Sequence, residues 1–142
     1  FLPLIGLGEV RYRNEIRSAG DGLSQLGVEP IQLSPKEGLA LIVRQISKQK
    51  YRNLHMVIGF VKGKDLNAIL PLLPQKAMYY WCRPNLERGL PVEVLEAKAS
   101  QFGLNGTAFN SVRAAYTEAL SSAENVDFVY VGGSTFTVAE IL

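Results

Sequence analysis

The sequence has little of what a disulfide-linked, zinc-binding or membrane-spanning protein needs. Among 142 residues there is one cysteine, Cys82, and one histidine, His55. A lone cysteine forms no internal disulfide and a lone histidine assembles no zinc site, so this usage indicates a reduced, intracellular and metal-poor protein. No apolar run reaches the roughly 18 residues that span a bilayer, and no basic flank of a signal peptide precedes the first residues. The absence of an initiating Met predicts a processed product or a piece of a longer chain.

Charge of one sign is also scarce. Lys and Arg number 15 against 13 Asp and Glu, which gives a net charge of +2. Without a cationic stripe there is no broad surface to neutralise phosphates, so nucleic acid is not expected as a partner. The 47% of hydrophobic and 20% of charged residues are ordinary for one globular domain.

Three well-known catalytic motifs are missing as well. The chain has no Walker-type phosphate loop, no Gly-x-Ser-x-Gly elbow and no His-Glu-x-x-His helix. Gly6-x-Gly8 lacks the third glycine of a dinucleotide fingerprint because position 11 is Arg, so it indicates a plain turn. The chain is therefore expected to hold no complete catalytic centre and no metal site of its own.

Short β-rich runs alternate with helical patterns from about residue 29 onward, and this order predicts an α/β fold with a mainly parallel sheet. Residues 1–28 are interrupted by glycines and are predicted to be a poorly defined lead-in to a domain spanning 29–142. The predicted strands lie at 29–33, 54–61, 77–82, 106–109 and 126–131. The predicted helices begin at Pro35, Leu66, Pro91, near Ser111 and at Thr135.

Ligands of parallel sheets bind outside the carboxyl ends of the strands, so the loops 62–65, 83–90 and 132–135 are the candidate sites. In the last loop, Gly132 and Gly133 permit a sharp turn while Ser134 and Thr135 offer hydroxyls and amides at a helix start. That arrangement suits a carboxylate or phosphate. A simple Ser N-cap on a docking helix is the alternative that the residues alone favour.

The other loops carry cations that also allow two interpretations. Lys64 and Asp65 suit either an anion-binding loop or a capped helix with solvated lysines. Arg83 and Arg88 have the guanidinium geometry that carboxylates and phosphates need, although arginines are common on surfaces.

Three further features are interpreted as structural. His55 lies inside a predicted strand, so it is expected to be a hydrogen-bonded imidazole and not a general base. Cys82 is expected to be a small buried residue. The aromatic run Tyr79-Tyr80-Trp81 should place alternate rings on opposite faces of the sheet as core packing.

An ordered series of motifs runs from residue 53 to the end of the chain. It comprises Leu54-His55-Met56-Val57-Ile58-Gly59, Lys64-Asp65, Leu70-Pro71-Leu72-Leu73-Pro74, Tyr79-Tyr80, Arg88-Gly89-Leu90, Phe102-Gly103-Leu104 and the stretch from Phe128 to Leu142 that includes Gly132-Gly133-Ser134-Thr135. With these motifs, residues 53–142 resemble the C-terminal domain of folylpolyglutamate synthase/dihydrofolate synthase, of the muramyl-ligase-like family, and the similarity is strongest in the last stretch.

The resemblance implies a Rossmann-like three-layer sandwich within an ATP-dependent ligase that adds L-glutamate to folate or dihydropteroate. An N-terminal domain of the same enzyme would hold ATP and Mg²⁺, and this domain would close the cleft. By the same resemblance, Ser134 and Gly133 would bind glutamate, whereas Lys64, Asp65 and Arg88 would lie on the nucleotide side. No catalytic residue is assigned, and the 142-residue chain alone is expected to bind no cofactor and to be inactive.

One departure from the family pattern leaves an alternative open. The family usually has an Asp-x-x-His-Asn motif just before the first long helix, whereas residues 31–38 read Ile-Gln-Leu-Ser-Pro-Lys-Glu-Gly. The chain is then either a ligase domain with an altered leading segment or an inactive, ligase-derived binding domain whose pocket takes a small anion. The sequence does not distinguish one ligase activity from two, and it leaves the folate chain length, the role of residues 1–28 and the oligomeric state open.

Overall fold

The fold is built on one six-stranded sheet with the strand order β2-β1-β6-β3-β4-β5. The computed structural model describes residues 9–12, 15–18 and 35–141. The strands are β1 (Glu9–Tyr12), β2 (Glu15–Ser18), β3 (Leu54–Ile58), β4 (Met78–Trp81), β5 (Gly106–Ala108) and β6 (Phe128–Gly132). The helices are α1 (Pro35–Ser47), α2 (Leu66–Ile69, continued by a 3-10 turn over Leu70–Leu72), α3 (Val92–Gln101), α4 (Val112–Ser122) and α5 (Thr135–Ala139).

Four of the strands are parallel, which confirms the predicted α/β class and its mainly parallel sheet. β3 lies between β6 and β4, and β5 follows β4 at one edge. All five residues of β3 are buried, as expected of a central strand covered on both faces.

An antiparallel pair extends the sheet beyond β6. β1 pairs with β6 and β2 pairs with β1, both antiparallel. This pair lies within the lead-in for which the sequence predicted no regular element, because each strand has only four residues, too few for a two-residue period to stand out. The predicted strand 29–33 and the Gly6-x-Gly8 turn lie outside the described residues.

Helices cover both faces of the sheet and complete three layers. Side chains of β3 alternate, so Met56 joins the core under α1, α2 and α3 while Val57 joins the core under α4. The aromatic run of β4 follows the predicted alternation. The rings of Tyr79 and Trp81 stack with their centroids 4.7 Å apart on the face that carries Met56, whereas Tyr80 lies on the face that carries Val57.

Most predicted elements are present with shifted ends. α1 begins at Pro35 as predicted and buries Ile42 and Ile46. β6 begins at Phe128 and not at Val126, because Asp127 N donates to Glu124 O in a turn. The final helix was predicted to reach residue 142, but α5 ends at Ala139.

Candidate functional site

Three loops leave the carboxyl ends of the parallel strands and meet at one side of the sheet, called the carboxyl edge below. They are 59–65 after β3, 83–90 after β4 and 132–135 at the end of β6. Backbone hydrogen bonds join them: Gly59 N donates to Gly132 O at 3.2 Å and Lys62 N donates to Arg88 O at 2.7 Å. The predicted candidate loops are therefore brought together at the place where parallel sheets bind ligands.

Ser134 stands at the start of α5 with only 7% of its surface exposed. Its hydroxyl oxygen accepts a hydrogen bond from Thr137 N at 3.2 Å, so the N-cap interpretation is correct. A hydroxyl oxygen has two lone pairs besides its proton, so capping does not exhaust what Ser134 can bind.

Gly133 brings the turn before α5 against the end of β3. Its φ is +100°, and a Cβ built there would stand 2.4 Å from the carbonyl oxygen of Gly59. Both the backbone conformation and the close approach therefore require glycine. Thr137 adds a side-chain bond across the same junction, because its Oγ1 donates to Gly59 O at 2.8 Å.

The two arginines of loop 83–90 have different roles. Arg83 Nε donates to Gly89 O at 3.0 Å and its Nη2 donates to Leu86 O at 3.3 Å, so this guanidinium organises its own loop. The Arg88 side chain is exposed, while its carbonyl accepts from Lys62 N. Arg88, and not Arg83, is thus the arginine that this loop offers to an anion.

Lys64 and Asp65 lie on the neighbouring loop. Asp65 caps α2, since its Oδ1 accepts from Ala68 N at 3.3 Å, which confirms the structural interpretation of this residue. Lys62 is exposed and Lys64 is half-buried. The bond between Lys62 N and Arg88 O holds the two cation-bearing loops side by side, and each of these loops also carries one exposed carboxylate, Asp65 or Glu87.

Glu140 is a residue of this edge that the sequence reasoning missed. Its Oε2 accepts from Asn85 N at 2.6 Å, and its carbonyl accepts from Arg113 Nη2 at 2.9 Å. It therefore joins the segment after α5 to loop 83–90 and to α4. The one sequence signal for Glu140 is its position inside the stretch 128–142, which resembles the ligase family. No periodicity or spacing of the sequence singles this residue out.

Cys82 directly follows the last residue of β4 at the carboxyl edge, and it is fully buried, as predicted. Burial raises the pKa of its thiol to about 12, and the Glu140 carboxylate adds to the rise. A thiol with this pKa is protonated at neutral pH, so Cys82 is not an activated nucleophile.

A second polar cluster lies at the opposite, amino end of the strands. His55 Nδ1 is 2.8 Å from the Tyr80 hydroxyl and its Nε2 is 2.9 Å from Asp127 Oδ2, so both ring nitrogens are satisfied, as predicted for a structural imidazole. Asp127 also accepts from Asn53 N and Glu124 N. Burial works to raise the pKa of Asp127, but the hydrogen bonds from His55 and the two amides hold it below its usual value.

The described residues contain no group of three or more His, Cys, Asp or Glu side chains placed to hold a metal ion. Within the same residues no helix combines the length and apolarity of a membrane span.

Comparison with known proteins divides the chain in two. The family model for aromatic amino acid lyase matches residues 1–44, called the lyase-like segment below. The histidine ammonia-lyases of Deinococcus radiodurans and Shewanella woodyi are 56% identical to this chain over 41 residues, and that of Idiomarina loihiensis is 51% identical over the same length. These matches cover 29% of this chain and 8% of each lyase.

Solved structures match most of the chain at lower identity. E. coli FolC in complex with DHPP and ADP has a TM-score of 0.66 and 28% identity over 75% of this chain and 25% of its own. Bifunctional folylpolyglutamate synthase/dihydrofolate synthase from Yersinia pestis, complexed with AMPPNP and Mn, has a TM-score of 0.65 and 21% identity over the same shares. Mycobacterium tuberculosis folylpolyglutamate synthase with ADP and AMPPCP has a TM-score of 0.62 and 20% identity, over 75% of this chain and 26% of its own.

These structures confirm the resemblance to folylpolyglutamate synthase/dihydrofolate synthase and the Rossmann-like fold, consistent with a C-terminal domain of that family. They support a ligase-related domain. The chain spans about a quarter of the length of each of these ligases. Residues 45–142, which lie beyond the lyase family match, are called the ligase-like region below.

Proposed function

We propose that this chain carries the C-terminal domain of an ATP-dependent ligase that adds L-glutamate to folate or dihydropteroate. The domain would close the active-site cleft and help to bind glutamate and nucleotide. The observation that carries the proposal is the carboxyl edge, where three loops are joined by hydrogen bonds in a fold similar to E. coli FolC at a TM-score of 0.66. A preformed edge suits a domain that completes an active site on closure, because little ordering remains to be done.

Ser134 and Gly133 are proposed to contact the glutamate. The support is the tight turn that Gly133 makes and the nearly buried Ser134 hydroxyl beside it. A hydroxyl on a turn fixed to β3 presents its free lone pair and its proton in a set direction, which is what recognition of a small polar amino acid requires.

Lys64, Asp65 and Arg88 are proposed to face the nucleotide side of the cleft. Lys64 and Arg88 supply positive charge for phosphates, while Asp65 fixes the start of α2. In a full-length enzyme, ATP and Mg²⁺ would be held mainly by an N-terminal domain of the same enzyme, as the resemblance to these ligases implies. Such an enzyme works in the cytoplasm, and the 142-residue chain alone is expected to release no phosphate from ATP.

The domain organisation is a further part of the proposal. The predicted boundary between residues 28 and 29 falls inside the lyase-like segment, which ends at residue 44. Residues 45–142 make up about 69% of the chain, so a structural match over 75% takes in at least about eight lyase-like residues. We place this overlap in α1, which packs on the ligase-like core although its first residues are lyase-like in sequence.

The test is an amide NMR titration of the full chain with L-glutamate, with D-glutamate as the control ligand. We expect shifts confined to Gly133, Ser134 and their neighbours, and we expect Ser134→Ala to abolish them. Ser111→Ala is the matched control, because Ser111 caps α4 in the same way, accepting from Ala114 N, and lies outside the proposed subsite. Equal responses to both enantiomers, or a response that survives Ser134→Ala, would contradict the assignment.

A further inference from the structure

Thr137 is the most completely buried polar side chain at the carboxyl edge. It has no exposed surface, whereas Ser134, one turn earlier, keeps 7%. Its Oγ1 donates to Gly59 O at 2.8 Å and its amide donates to Ser134 Oγ at 3.2 Å. Thr137 is therefore bonded both to the end of β3 and to the hydroxyl proposed to meet glutamate.

The protons of this small network can be assigned. A threonine hydroxyl has one proton, and the Thr137 proton is engaged by Gly59 O because a carbonyl oxygen only accepts. In the remaining contact, between Ser134 Oγ and Thr137 Oγ1 at 3.3 Å, Ser134 is then the donor. This bond is long and hence weak, so a ligand can take over the Ser134 proton at small cost while Thr137 stays anchored.

The anchor also decides where the Ser134 hydroxyl stands. The turn before α5 approaches Gly59 so closely that a Cβ at Gly133 would meet Gly59 O at 2.4 Å. Without the Thr137 hydroxyl, Gly59 O would lose a buried donor, and the turn would lose its side-chain link to β3.

We propose that Thr137 is a positioning residue for glutamate recognition: its buried hydroxyl holds the turn that presents Ser134 against the end of β3. This role rests on the proposed function of Ser134. Thr137 does not touch the ligand, and it acts by fixing the position of the Ser134 oxygen and the direction from which a ligand reaches it.

The test compares Thr137→Val with Thr137→Ser in the full chain. Val keeps the shape and removes the hydroxyl, whereas Ser keeps the hydroxyl and removes a methyl group. A single buried hydrogen bond contributes modestly to a net free energy of folding or binding, and its loss changes a Kd by roughly tenfold. We therefore expect Thr137→Val to raise the Kd for L-glutamate by roughly tenfold and Thr137→Ser to raise it by less than about threefold. Thr117→Val, at an exposed position of α4, is the matched control and should leave the Kd unchanged.

The outcomes separate the two proposals. If wild-type chain binds no L-glutamate, or Ser134→Ala binds it normally, the proposed function fails and the role of Thr137 falls with it. If Ser134→Ala abolishes binding but folded Thr137→Val binds like wild type, only the positioning role is wrong. Should Thr137→Val not fold, the Ser variant decides: near-normal binding supports the hydroxyl as the anchor, and a loss of tenfold or more in a folded Ser variant contradicts it.

Discussion

The lyase-like segment and the ligase-like region carry opposite kinds of similarity. The first is 51–56% identical to histidine ammonia-lyases over 41 residues but represents 8% of their length. The second belongs to a match of only 20–28% identity that nevertheless extends over three quarters of the chain at TM-scores of 0.60–0.66. High identity over a short piece transfers no activity, whereas low identity over three quarters of the chain, at TM-scores of 0.60–0.66, identifies a fold.

The same division accounts for the missing ligase motif. The place where the family usually has Asp-x-x-His-Asn, at residues 31–38 here, lies inside the lyase-like segment. Residues 31–38 therefore belong to a part of the chain that matches the lyase family model and not to the ligase-like region. The described topology shows a parallel difference, because the lyase-like strands β1 and β2 are antiparallel while β3 to β6 are parallel.

If the ligase-like region holds most of the stability of the chain, its buried Asp127 should be the most sensitive position. Asp127→Ala leaves the His55 ring and two backbone amides without their acceptor, so we expect a loss of about 3 to 5 kcal/mol in the free energy of unfolding. Urea denaturation measures this. Glu124→Ala removes only an ion pair with Arg52 whose side chains are 65% and 66% exposed, so it should cost less than about 1 kcal/mol.

The helix that crosses the division tests whether the two regions share one core. Ile42 is lyase-like in sequence and Ile46 lies beyond that match, yet both are buried in the same cluster. Replacing either by Ala should cost roughly 2 to 4 kcal/mol, while Arg44→Ala on the exposed face should change little. A negligible cost at Ile42 beside a full cost at Ile46 would show that the lyase-like residues do not pack on the ligase-like core.

Two glycines with positive φ, Gly63 and Gly133, test whether the backbone is closely packed at the carboxyl edge. Gly133→Ala adds both backbone strain and a clash with Gly59 O, so we expect a loss of roughly 2 to 3 kcal/mol. Gly63 has a φ of +90° and nothing within 4 Å of a built Cβ, so Gly63→Ala should cost only the strain, about 1 kcal/mol. Equal thermal shifts for the two variants would mean that the edge is looser than described.

We expect the stability of the chain to depend on pH through Asp127, a residue of the ligase-like region. The pKa of Asp127 is lower in the folded chain than its usual value. The ionised Asp127 carboxylate therefore contributes fully to the free energy of unfolding above its unfolded pKa of about 3.9. That contribution is lost as the pH falls through the folded pKa. Denaturation between neutral and acidic pH should show a steeper loss of stability for wild type than for Asp127→Asn, and parallel profiles would contradict this.

Local patterns predicted the parts of the molecule that depend on neighbours in sequence. The apolar run of β3, the caps at Asp65 and Ser134 and the burial of Cys82 all follow from residues a few positions apart. The roles of Thr137 and Glu140 were not predictable, because their bonds reach partners 78 and 55 residues away.

The arginines of loop 83–90 show the same limit. Arg83 and Arg88 are equivalent as sequence and both are exposed, and only the fold of the loop directs the Arg83 guanidinium to the carbonyl oxygen of Gly89. The β1–β2 pair was missed for a related reason, since its pairing with β6 depends on backbone partners more than a hundred residues away.

The most direct test of the ligase assignment replaces only the part of E. coli FolC that aligns with residues 45–142 by those residues of this chain, so that FolC supplies everything before the ligase-like region. We expect the purified hybrid to release phosphate from ATP in a glutamate- and folate-dependent manner, and Ser134→Ala in the hybrid to weaken the dependence on glutamate. A hybrid that is folded and binds ADP but shows no glutamate-dependent phosphate release would contradict the assignment.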